Sequence, residues 1–125
     1  MPRALADDLV RFAQTHLGSV WALKMMIAMR EEPTQTWSVE TLVRELRASA
    51  PLVTELLDRF ERIGLAMRDN GEGWCWRPAT PEIEELANGV AEAYAVMPFG
   101  VIQAIAEAPE DRLKQFADAF RLRKG

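Results

Sequence analysis

Along most of the chain, apolar residues recur at intervals of three and four, the spacing of one helical face, and strict alternation is confined to a single short stretch. Residues 3–17 carry Leu5, Leu9, Phe12, Ala13 and His16 on one such stripe. Gly18 and Ser19 follow as a stop and as a cap for the next helix. From 20 to about 31 the chain is apolar on several sides, with Val20, Trp21, Leu23, Met25, Met26, Ile27 and Met29. That pattern predicts the most buried helix and reads its methionines as core filler. Glu31-Glu32-Pro33 ends it. Thr34-Gln35-Thr36-Trp37 is then an extended link suited to a short strand, with Ser38 as an N-cap and Glu40 as a first-turn acid.

Residues 37–77 organise the rest. Leu42, Val43 and Leu46 lie on one side of a first helix, and Val53, Leu56, Leu57, Phe60 and Ile63 line a second. Only Ala48, Ser49 and Ala50 separate them, so the two helices cross steeply, as in a helix-turn-helix. Gly64 suits the left-handed position that ends a helix. Leu65-Ala66-Met67-Arg68, Asp69-Asn70-Gly71-Glu72-Gly73 and Trp74-Cys75-Trp76-Arg77 then read as strand, turn and strand. Alternation along the second strand puts Trp74 and Trp76 on one side and Cys75 on the other. Trp76 is expected in the core, and Trp74, nearer the tip, partly exposed.

Thr80-Pro81-Glu82 opens a further helix with a capping hydroxyl, a proline at the first helical position and acids in the first turn. Ile83, Leu86, Ala87, Val90, Ala93, Tyr94 and Met97 form its apolar stripe, and Glu84, Glu85 and Glu92 its solvated face. Pro98 breaks or kinks it. A short apolar segment runs from Phe99 through Ile102 to Ile105, and Pro109 starts a last helix with Leu113, Phe116, Ala117 and Phe120 on one side. Arg112, Lys114, Arg121, Arg123 and Lys124 lie elsewhere on it.

The 125 residues are enough for one domain with a hydrophobic core, and 49% apolar with 27% charged residues is the balance of a soluble globular protein. No apolar run approaches the roughly 20 residues that span a bilayer. The first residues lack the apolar centre of a signal peptide, so a cytoplasmic protein without a membrane partner is expected. Cys75 is the only cysteine, which rules out an internal disulfide, and it reads as a filler on a strand. His16, the only histidine, reads as a half-buried structural residue near a helix end. No cofactor or metal is expected, and none of the dinucleotide, phosphate-loop, HExxH or nucleophile-elbow patterns occurs. Adjacent acids such as Glu84-Glu85 point about 100° apart on a helix and are solvated faces rather than catalytic pairs. The reading is of a non-enzyme.

Val39 to Leu46, Val53 to Phe60 and Glu61-Arg62-Ile63-Gly64-Leu65 resemble a winged helix-turn-helix domain of the MarR-like bacterial transcriptional regulators, over about a third of the chain. The fold expected is mainly α with a small β-hairpin wing: a winged helix-turn-helix core at 19–78, an N-terminal helix at 2–17 and C-terminal helices at 80–124, in a single domain. The resemblance implies a DNA-binding regulator of double-stranded DNA. Its candidate contacts are Ser49, Thr54, Arg59 and Arg62 on the outward side of the second helix, with Arg44, Arg47, Arg68 and Arg77 flanking the backbone. It also implies a homodimer through the C-terminal helices, with Tyr94, Phe99, Ile102, Leu113, Phe116 and Phe120 as interface residues. The charge pattern points the other way. The net charge is −4, Glu55 and Asp58 share the outward side of the second helix, and seven acids but only four arginines lie between Glu31 and Leu65. Carboxylates repel a phosphate backbone, whose neutralisation supplies most of the affinity. A winged-helix protein-interaction module that does not bind DNA is the alternative.

Overall fold

A hydroxyl side chain opens four of the helices. Ser19, Ser38, Ser49 and Thr80 each accept a hydrogen bond from the backbone N–H three residues on, which satisfies one of the donors a helix start leaves free. The computed structural model describes residues 6–69, 71 and 73–107. These are mainly helical, with one two-stranded antiparallel sheet. None of the described helices is long and apolar enough to cross a membrane.

Helix α1 (Asp7–Phe12) continues as a π-helical segment, Ala13–Leu17, closed by the Gly18 amide donating to the Ala13 carbonyl at 2.8 Å. Gly18, at φ 74°, is left-handed and turns the chain into α2 (Val20–Glu31). The wider turns of a π-helix shift the phase of the stripe. Leu17 is therefore fully buried, whereas His16, assigned to the stripe from the sequence, is half-buried beside the Phe12 ring, at 5.5 Å between centroids. Ala22, Leu23, Met25, Met26 and Met29 of α2 are buried, so the methionines are core. Trp21 stays exposed.

Helix α3 (Val39–Leu46) begins on a capping box in which Ser38 and Thr41 each take the other's backbone amide. Arg47, at φ 55°, ends it in the left-handed region, and Ala48 and Ser49 lead into α4 (Ala50–Ile63). Val53, Leu56, Leu57 and Phe60 of α4 are buried. Gly64, at φ 86°, stops it, with the Leu65 amide donating back to the Phe60 carbonyl at 2.8 Å, as in a Schellman turn.

Strands β1 (Ala66–Asp69) and β2 (Gly73–Trp76) pair with Ala66 opposite Trp76 and Arg68 opposite Trp74. The link before α3 joins them as expected: Trp37 and Trp74 exchange backbone hydrogen bonds of 2.7 and 2.8 Å. One expectation fails here. Trp74 is only 7% exposed, because the Trp37 strand flanks it and the Arg68 guanidinium lies 4.4 Å from its ring centroid.

Helix α5 (Pro81–Val96) follows Thr80 as predicted, and at the break expected before Pro98 Met97 separates it from α6 (Pro98–Ala106), which the short apolar segment forms. α1 packs on α5, where a Cβ at Gly89 would sit 2.7 Å from Leu9 Cδ2. The Gln14 amide donates to the Ala104 carbonyl at 2.7 Å, and Arg30 Nε to Asn88 Oδ1 at 2.7 Å. One apolar cluster runs through all of these elements, from Phe12 to Ile105. Leu113, Phe116 and Phe120 lie outside the described residues.

Candidate nucleic-acid interface

The buried line of α4 fixes what the helix shows to the outside. Successive residues turn through about 100°, so with Val53, Leu56, Leu57 and Phe60 inward the opposite line is Pro51, Glu55, Asp58 and Arg62. All four are exposed. Thr54 is exposed on one flank of that line. Arg59 falls on the other flank, roughly 70° from its centre by the same turn per residue.

That offset decides where Arg59 goes. It is half-buried, and its Nη1 donates to the Leu17 carbonyl at 2.7 Å, at the open end of the π-helical segment. An arginine expected to face outward is therefore spent on a helix end 42 residues away in sequence. Gly18 leaves room for it, since a Cβ there would lie 3.3 Å from that same nitrogen. Arg68 is also engaged, over the Trp74 ring.

The eight candidate residues are distributed among several clefts and helix faces. Ser49 and Thr54 lie exposed on the first turns of α4, next to Arg47. Ser49 is also the N-cap, its Oγ accepting from the Leu52 amide at 3.3 Å. Arg44 lines a cleft of about 520 Å³ together with Trp37 and three acids, Glu31, Glu32 and Glu45. The Trp37 indole N–H is buried without a hydrogen-bond partner among the described residues. Arg59 and Arg62 line a different cavity, of about 410 Å³, with Gln14, Thr15 and His16. Arg77 lines a third, beside Glu61, Gly64 and Met67.

Of the interface candidates, Tyr94 and Ile102 are partly buried against the core, while Phe99 is 84% exposed at the start of α6. Val96, which the sequence reading passed over, is 71% exposed one turn before it. Both flank the α5–α6 break at Met97. No group of three or more histidine, cysteine or acidic side chains among the described residues is placed to hold a metal ion. Compared with protein families, with curated proteins and with solved structures, the chain matches none.

Proposed function

We propose that the chain is a winged helix-turn-helix domain acting as a protein-interaction module, with α4 turned to a protein partner and the Val96–Phe99 end of α5 and α6 pairing with a second copy. The observation that carries this reading is the outer line of α4, where Glu55 and Asp58 occupy the positions that would meet a phosphate backbone. Two unit charges about 4 Å apart interact by about 1 kcal/mol even in water, so each carboxylate held at DNA works against binding. The arginines that would offset them are turned elsewhere, Arg59 to Leu17 and Arg68 to Trp74. The winged-helix assignment is supported by the short Arg47 turn, the Gly64 stop, the hairpin and the Trp37 bridge that adds a third strand to it.

A second reading, a DNA-binding transcriptional regulator, is favoured by Arg47, Ser49 and Thr54, exposed where such a helix enters the major groove. Fluorescence anisotropy with a labelled mixed-sequence duplex at two low salt concentrations separates the two. The interaction module predicts no binding at either. Binding that weakens as salt rises, and that Arg47→Glu abolishes, establishes the regulator instead.

A further inference from the structure

The cavity between the π-helical end of α1 and the last turns of α4 is lined by cationic side chains. Its volume is about 410 Å³, within the range of small-ligand sites. Arg59, Arg62, His16 and Thr15 line it, and no carboxylate is among its described lining residues. In a chain of net charge −4, that exclusion sets this cavity apart from the cleft at Arg44, which holds three acids.

The simplest use for these arginines is to satisfy helix ends, and for one of them that accounts for part of its capacity. Arg59 Nη1 is taken by the Leu17 carbonyl, which holds the guanidinium at the cavity and leaves its remaining N–H groups uncommitted to that bond. Arg62 is exposed. The ends of the π-helical segment and of α4 each contribute about half a negative charge. Together they offset about one of the two guanidinium charges, and the site stays positive. The Gln14 amide nitrogen is already committed to the Ala104 and Glu107 carbonyls, so Gln14 holds the wall rather than donating inward.

We propose that this cavity binds the phosphoryl group of a small phosphorylated molecule. Two guanidinium forks, a hydroxyl and an imidazole offer more donors than the two oxygens of a carboxylate can take, and suit the three terminal oxygens of a phosphate monoester. The π-helical winding gives the site its shape: it brings Thr15, His16 and the Leu17 carbonyl to the same end of α1 that Arg59 reaches from α4. Short π-helical segments occur often at functional sites for this kind of re-aiming.

The test is titration of the protein with inorganic phosphate at constant ionic strength, followed by phosphorus NMR, with a chloride control. The expected result is a saturable change that Arg62→Ala weakens at least about tenfold, the loss of one charge-assisted contact. His16→Gln is expected to weaken it less, and Arg47→Ala, at the end of α3 and outside the cavity lining, to leave it unchanged. Arg62 is exposed, so its removal leaves the fold intact, and a circular dichroism spectrum checks that. A response that does not saturate, or that Arg62→Ala leaves intact, overturns the proposal. A mixed-sequence duplex serves as competitor: if it displaces phosphate and Arg62→Ala loses both, the cavity is a DNA-backbone contact and the small-molecule site is wrong.

Discussion

Arg59 and Leu17 are joined by a 2.7 Å hydrogen bond from guanidinium to backbone carbonyl, which ties α4 to the π-helical end of α1. A charged donor on a part-buried carbonyl contributes about 1.5–3 kcal/mol. Arg59→Ala is therefore expected to lower unfolding free energy by about 1–2 kcal/mol, less than the full range because water reaches the half-buried site. Arg62→Ala, two cavity-lining residues being otherwise alike, should stay within about 0.5 kcal/mol. Urea unfolding of both variants checks the pair. Equal effects would show that the Leu17 contact contributes nothing to stability.

Gly73 is required by closeness rather than by backbone angle. A Cβ there would lie 2.6 Å from the Trp37 carbonyl oxygen and 2.7 Å from Thr36 Cγ2, so alanine has to push the Trp37 strand off the hairpin. The expected cost of Gly73→Ala is about 1–3 kcal/mol, the usual range for forced overpacking. Amide hydrogen exchange gives the specific sign: Trp37 and Trp74, which exchange hydrogen bonds across this edge, should lose protection first.

Two phenylalanines separate core from surface. Phe60 is fully buried in α4, and Phe60→Ala should cost about 3–5 kcal/mol through lost burial and the cavity left behind. Phe99 is 84% exposed, and Phe99→Ala should change stability by less than about 0.5 kcal/mol. Denaturant melts of the two variants decide it.

The same exposure bears on assembly. If Val96 and Phe99 pair with a second copy, Phe99→Glu converts dimer to monomer in sedimentation equilibrium without altering the melting temperature at low protein concentration. A wild-type chain that sediments as a monomer up to high concentration removes the pairing from the proposed function.

Local chemistry made much of the architecture readable in advance. Gly18 and Gly64 sit at left-handed helix ends, Ser19, Ser38 and Thr80 cap, and Trp37 joins the hairpin, because each depends on residues within a few positions or on a repeating pattern. What escaped depends on distant neighbours. A stripe of three-and-four spacing cannot reveal a π-helical segment, so it finds the half-buried His16 but misses the fully buried Leu17 beside it. A helical wheel puts Arg59 near the outer face, but a long side chain on the flank is free to reach Leu17, which only the tertiary fold brings near. Trp74 was expected half in solvent because strand alternation says nothing of Arg68 folding over it. Of the candidate site, the residue types were legible and their grouping was not.

The π-helical segment also fixes an angle. A π-helical turn holds about one residue more than an α-helical turn, so the five positions Ala13–Leu17 carry the extra residue that α-helical winding would not take up. That residue acts as a phase setting between α1 and the rest of the chain, at which Leu9 reaches its seat at Gly89 and Phe12 enters the core.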